Sequence, residues 1–583
     1  MALTTPSQSP AIVTKEIDLT GGVPNVPTST GAFVGEFLWG PVQEPTLIAN
    51  EAGLVETFGS PDSDNTVEWH SAAYFLRYSS DLNVVREING ATNAWDSDAG
   101  GAGTAAAPVV KNRDNWDNQI TALADSDHTF VAKWPGALGS SLQVQFCTAD
   151  SAGTADFDAW AYKSSFDAAP DTSAWDSARG SSKDEIHVAV IDAGGLFTGT
   201  KNSVLETFPF MSLSNDNKNA DGSTNYVKNV INNASEYVWM AGFGSSHTSP
   251  PFTGAAGTAS TVALNYAKTG TVTGSIRMAN GNDGSALGTA QYATGFDKYE
   301  DVDTTLVDFL IAPGMNSQSD QTTVVNDLVA IAQGKRKDCV VVASPNRAAI
   351  INNANPVTSA VTTANTFTNS SYLIVDNNYL KVYDKFTDQY IFIPASSSTA
   401  GIMAATDYVA APWFSPAGPR RGQYLGITAL AYSPKKTERD TLYKAGINPI
   451  ANIPGQGVLL FGDKTKLARP SAFDRINVRR LFLGLERAIA IAARNVMFEF
   501  NDEFTRAEFK NIIEPFLREV QGRRGITDFL VVCDETNNTP AVIDRNEFIC
   551  SIFIKPARSI NYVTLNFVAV RTGVEFTEVV GTV

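Results

Sequence analysis

The apolar residues between Arg469 and Val583 change period as the chain advances. Val478, Leu481, Phe482, Leu485, Ile489, Ala492 and Val496 form one stripe of a 3.6-residue repeat and predict a long amphipathic helix. Asn477 stands where a short amide can cap the first turn. Arg479, Arg480, Glu486, Arg487 and Arg494 fall largely off the stripe, so the helix is expected to show arginines on much of its other face. Thr505-Arg-Ala-Glu508 has the spacing of a capping box. It opens a second helix carrying Phe509, Ile512, Ile513, Phe516, Leu517 and Val520. Gly522 is placed to end that helix in a left-handed turn, and Pro515 should kink or split it. The period then shortens. Phe529–Asp534, Phe548–Lys555, Ile560–Arg571 and Val574–Val580 read as strands, rich in β-branched and aromatic residues. A last strand with no partner after it is a candidate for pairing with another chain.

Earlier segments supply further elements. Ile12–Leu19 reads as a strand with no hairpin partner nearby, so it must pair at a distance or with a neighbouring molecule. Gly31–Trp39 alternates, with Phe33, Phe37 and Trp39 on one side, and is expected to bury one face. Asn50–Gly59 and Val67–Tyr78 read as helices and Leu82–Ile88 as a strand, a βαβ-like opening. Ala91–Ala107 is a Gly/Ala/Asp linker. Short strands at Thr129–Lys133, Leu142–Phe146 and Ile186–Ile191 suggest an inserted all-β surface module. A Gly-, Asn- and Ser-rich stretch follows, with one helix at Tyr226–Asn233. Leu306–Ala312, Thr323–Gln333 and Cys339–Ala343 then read strand, helix, strand, which favours a parallel sheet. Thr437–Asp440 opens another helix, closed by Gly446.

Several blocks resemble one known family. Ile476-Asn-Val-Arg-Arg-Leu-Phe482, Met497-Phe-Glu-Phe-Asn501, Phe529-Leu-Val-Val-Cys-Asp534 and Ile552-Phe-Ile-Lys-Pro-Ala-Arg558 look, in letters, order and spacing, like the C-terminal domain of contractile-tail sheath proteins of tailed bacteriophages. Trp39-Gly-Pro, Leu54-Val-Glu-Thr-Phe-Gly59, Ala132–Val144, Trp413–Gly418, Ala445–Ile450 and Pro454–Gly457 resemble further family blocks. So does Ser9–Glu16, although Ala11 stands where the family usually has Gly.

Pattern and resemblance together give a mixed α/β, multidomain chain. The expected parts are an N-terminal linking arm at 1–20, an α/β core domain at 21–92 with 300–460, the β-rich module at 93–192, and a second outer α/β module at 193–299. An α+β sheath domain with long helices packed on a sheet follows at 461–573, then a C-terminal linking strand at 574–583.

Composition narrows the function. The chain has 583 residues, which by length alone suggests about four domains. Its net charge is −17, which disfavours direct nucleic-acid binding. Residues 464–571 carry 17 Lys and Arg against 13 Asp and Glu, a basic region on an acidic body that suggests an acidic partner. No signal peptide and no apolar run of membrane-spanning length is evident, so a cytoplasmic site of synthesis is expected, with no membrane insertion. Cys147, Cys339, Cys533 and Cys550 make no C-x-x-C pair and read as reduced thiols, although Cys533 and Cys550 could lie near each other in a sheet.

Catalytic motifs fail one by one. Gly194–Asn202 looks like a phosphate loop, but Thr200 stands where its Lys must be. Gly455-Gln-Gly457 lacks a third glycine and reads as a turn. His70, His128, His187 and His247 are isolated, and no nucleophile elbow exists. Lys335-Arg-Lys337 is read as a basic loop that complements a helix end. No catalytic residue, metal ligand or cofactor is expected.

What the resemblance implies is a structural subunit that polymerises into a helical sheath around a tail tube and contracts to drive the tube through the host envelope. The alternative is the sheath of a bacterial contractile injection system or tailocin. The implied partners are copies of itself, the tail tube, and baseplate and tail terminator proteins. Ile12, Val13 and Ile17, with Val574, Phe576 and Val579, are expected to form inter-subunit linking strands. Arg479, Arg480 and Arg487 are expected to face an acidic inner tube.

Overall fold

Strands Gly31–Gly35, Leu82–Arg86, Phe309–Ile311, Val340–Ala343 and Leu373–Val375 pair in parallel, with Thr46–Ile48 antiparallel at one edge. The computed structural model describes residues 28–96, 107–125, 129–149, 155–180, 182–242 and 273–561. These divide into two compact units. The large one spans Asn25–Pro412 and Pro416–Arg487; the small one includes Trp413–Ser415 and the chain from Ala488.

In the large unit the parallel sheet is covered on both faces, as parallel sheets usually are. Ala32, Val34, Val85, Leu310 and Val341 point to one side, against Val325 and Leu328 of the Gln318–Ala330 helix. Phe33, Val84, Phe309, Val340 and Ile374 point to the other, against Trp69 and Phe75 of the Thr66–Phe75 helix and Met403 of the Ser396–Val409 helix. Gly31–Gly35 is therefore buried on both faces, not one. A middle strand needs apolar residues at every position, and Gly-Ala-Phe-Val-Gly supplies them. Gly401 lets the Ser396–Val409 helix come close to residue 78, since a Cβ there would sit 2.6 Å from Tyr78.

A second, antiparallel sheet has seven strands, in the order Ser203–Ser212, Glu185–Asp192, Leu142–Thr148, Thr273–Ala279, Asn93–Asp96, Phe130–Pro135 and Val238–Met240. Its core contains Phe130, Val144, Val188 and Ile276. Strands from both sides of the expected boundary at residue 192 share this sheet, and Asn93–Asp96, expected as linker, is one of them. The two expected outer modules are thus built around one sheet. The reason lies in its register: Thr273–Ala279 inserts between Leu142–Thr148 and Asn93–Asp96, a long-range pairing that no local pattern announces. Arg86 ties the two sheets together. Buried at the end of its parallel strand, it donates from Nε to Phe37 O at 2.7 Å and from Nη2 to Pro135 O at 2.6 Å.

The small unit holds the Glu503–Gly522 helix packed on an antiparallel pair, Ile526–Val532 with Ser551–Pro556. Phe509, Ile513, Leu517 and Val520 form the buried stripe, as the period requires. The cap differs from the expected one. Asp502 is the N-cap, its Oδ1 accepting from Thr505 N at 2.8 Å, so Thr505 lies inside the first turn. Pro515 sits within one continuous helix. The left-handed turn falls on Arg524 (φ 66°) rather than on Gly522. The expected strands at Ile560–Arg571 and Val574–Val580 lie almost wholly outside the described residues, as does Ile12–Leu19.

Candidate functional site

In open α/β sheets ligands usually enter the crevice beyond the carboxyl ends of the strands. Here the chain fills that crevice with its own polar groups. Gln321, fully buried, donates from Nε2 to Pro313 O and Ser344 O, both at 3.0 Å. Asp376 accepts from Ser344 Oγ at 2.8 Å and from Thr399 Oγ1 at 3.2 Å. Burial pushes the Asp376 carboxyl up to about 7.

The glycine-rich segment after Asp192 is occupied in the same way. The amides of Gly195, Leu196, Phe197 and Thr198 all donate to the Asp192 carboxylate, at 2.8–3.0 Å. Burial alone would raise this acid, but these bonds and one from Ser141 hold it below the ordinary carboxylate range. An amide nest, the kind of concavity that binds anions, thus holds the chain's own carboxylate. Gly455 and Gly457 form the turn of the Ile450–Ile453 and Gly457–Leu460 hairpin. His70 and His187 are buried, their ring nitrogens engaged with Thr66 O and with Ala168 O and Phe210 N respectively. His128 and His247 lie outside the described residues. Arg336, expected in a basic loop, is buried and bonded to Asp338 and to three backbone carbonyls. Among the described residues no His, Cys, Asp and Glu cluster could hold a metal, and no helix is long and apolar enough to cross a membrane.

The arginine-bearing helix runs from Ile476 to Arg494, so Asn477 lies within its first turn rather than capping it. Its first five residues are buried on all sides. The expectation that Arg479, Arg480 and Arg487 line an exposed face does not hold: their side chains are only 7%, 4% and 9% exposed. Arg480 donates from Nη2 to Asp407 Oδ2 at 2.5 Å and from Nη1 to Met403 O at 3.1 Å. Arg487 donates from Nη1 to Asp308 Oδ1 at 2.5 Å and from Nη2 to Val307 O and Asp338 O, both at 3.0 Å. Arg479 stacks on Tyr372, its Cζ 4.1 Å from the ring centre, and approaches Glu486 only to 3.8 Å. Residues 307–308 and 338 lie just before strands of the parallel sheet, so Arg487 fastens the helix to the sheet's amino-terminal edge. Burial outweighs the pair at Asp308 and pushes its carboxyl up to about 6, although Arg487 pulls the other way. Sequence reasoning missed the partners of Arg480 and Arg487 because they lie 73 to 180 positions away.

The small unit presents the opposite surface chemistry. Leu530 and Phe553 are register partners on the outer face of its two-stranded sheet, yet they are 58% and 59% exposed. Met497, Phe498, Phe500 and Phe504, around the turn between the two long helices, are exposed as well. No third strand pairs with this sheet among the described residues. Such a surface invites association.

Comparison with known proteins decides the family. The phage tail sheath C-terminal domain family matches residues 468–569, and the phage tail sheath protein central domain family matches residues 285–466. The chain is 30% identical to the tail sheath protein of Vibrio phage KVP40 and 30% identical to that of Enterobacteria phage T4, in each case over 98% of this chain and 99% of the relative. The chain belongs to the phage tail sheath family. As a family member it is a structural subunit of a contractile phage tail. Crystal structures of sheath tail proteins from Listeria innocua (12% identity, 92% of this chain and 96% of that one, TM-score 0.54) and Desulfitobacterium hafniense (13%, 94% and 100%, TM-score 0.50) share the mixed α/β fold.

Proposed function

We propose that this sheath subunit polymerises by lending and receiving strands at the two-stranded sheet of its small unit. The observation that carries this reading is the exposed Leu530–Phe553 face on a sheet with which no third described strand pairs. A two-stranded sheet is marginal alone, and strands added from neighbouring copies would complete it. The segments proposed to supply them contain Ile12, Val13 and Ile17 at one end and Val574, Phe576 and Val579 at the other. Head-to-tail contacts of this kind generate open helices. Strand links would let subunits turn as rigid bodies while staying joined. Contraction would draw its energy from subunit contacts in the shortened lattice. The filled crevice and the occupied amide nest agree with a role that turns over no nucleotide.

The proposed partners are further copies of the chain, the tail tube, and the baseplate and terminator proteins at the two ends of the tail. Arg479, Arg480 and Arg487 would meet an inner tube only if their buried contacts opened. In the folded subunit they are buried internal contacts. Deleting residues 1–19 tests the proposal. The truncated chain should remain folded by circular dichroism yet form no tubes under the electron microscope. Regular tubes from it would refute the linking role.

A further inference from the structure

Cys533 and Cys550 stand at the open end of the small unit's sheet. The register pairs Val531 with Ile552 and Val532 with Ser551, where the strands end, and its continuation sets Cys533 opposite Cys550. Two asparagines brace that pair from either side. Asn537 Nδ2 donates to Val532 O at 3.1 Å and to Ser551 Oγ at 2.8 Å. Beyond the cysteines, Asn538 Nδ2 donates to Asp534 O at 3.2 Å and to Ile549 O at 2.8 Å, while its Oδ1 accepts from Ile549 N at 2.9 Å. Alternation puts both thiols on the face that carries Val531 and Ile552. Opposed residues in such ladders have Cα atoms about 4.5–5.5 Å apart, inside the span of about 4.4–6.8 Å that a disulfide bridges. Cys147 and Cys339, by contrast, are fully buried in the large unit.

We infer that Cys533 and Cys550 close an intramolecular disulfide when the chain meets an oxidising medium, stapling shut the excursion 534–549. The oxidant is a small-molecule disulfide. Cys550, the more accessible of the two, loses its proton, and its thiolate attacks one sulfur of the oxidant. The oxidant's S–S bond breaks and one thiolate leaves, giving a mixed disulfide. The Cys533 thiolate then attacks Cys550 Sγ and expels the second small thiolate. The protein gives up two electrons and two protons, and the oxidant becomes two thiols. Burial pushes the Cys550 thiol up to about 12 and raises that of Cys533, so thiolate is scarce at neutral pH and closure is slow. A slow staple suits a chain that folds among reductants and later leaves them. Nothing in this chemistry depends on assembly into a sheath.

The test uses the full chain incubated with oxidised glutathione at pH 7 and pH 9. Acid quenching, alkylation in denaturant and non-reducing peptide mass spectrometry then locate each thiol. The expected product joins the Cys533 and Cys550 peptides, lighter by two hydrogens, and forms at least about tenfold faster at pH 9. Cys147 and Cys339 should be recovered alkylated. Cys533→Ser should stop at a glutathione adduct on Cys550. If that variant does not fold, the wild-type map alone decides. Free thiols at both positions, a lasting glutathione adduct on wild-type Cys550, or a bond from Cys550 to another chain would each overturn the inference.

Discussion

The large unit buries charge and the small unit exposes hydrophobicity. In the first, Arg480 and Arg487 lie sealed against Asp407, Asp308 and backbone carbonyls. In the second, Leu530, Phe553, Phe498 and Phe500 face outward. Surface ion pairs contribute little, whereas a buried pair is costly to break because the survivor is left charged and desolvated. Exposed aromatics contribute little to their own fold and much to association. On this reading the buried arginines fasten the large unit, and the exposed apolar residues are the proposed assembly surface.

The contrast breaks most decisively at Arg480. Arg480→Ala should cost about 3–5 kcal/mol in chemical denaturation, since Asp407 is left buried without its cation. Arg480→Lys should recover part of the loss. A cost under about 0.5 kcal/mol would put Arg480 back on a surface.

A second test reads the buried acids. Asp376 is held above its ordinary 3.8, at about 7, so the folded chain binds this proton more tightly than the unfolded chain. Its contribution is full below pH 4 and is lost as pH rises through 7. Wild type should lose up to ~4 kcal/mol across that window relative to Asp376→Asn, whose profile should be flatter. Equal slopes for both proteins would remove Asp376 from the account.

Within the small unit, Asp502→Ala should cost about 1 kcal/mol as a lost helix cap. Thr505→Ala should cost less, because the structure makes Thr505 a first-turn residue. The opposite ranking would restore the capping box that the sequence suggests. Smallest in stability is Leu530→Ser with Phe553→Ser, expected within about 0.5 kcal/mol of wild type by thermal melting.

Much of the fold was legible in the chain. The helical stripe of Phe509, Ile513, Leu517 and Val520 is buried as its period predicts. The helix read over Asn50–Gly59 runs Glu51–Phe58, and Gly59 ends it at φ 80°. The parallel pairing of Gly31–Gly35 with Leu82–Arg86 follows from the βαβ order. What escaped was long-range. Nothing near Arg487 in sequence names Asp308, and nothing in residues 193–299 announces that Thr273–Ala279 pairs with Leu142–Thr148. The candidate surface was legible only in part. Leu530 and Phe553 lie in apolar, strand-like runs, and only the fold shows that they share a face left exposed among the described residues.

The most direct measurement is electron microscopy of the purified chain beside the Leu530→Ser, Phe553→Ser double variant. The wild type should form striated tubes, and the variant folded, unassembled subunits. Tubes of equal length and regularity from both would contradict assembly through this face.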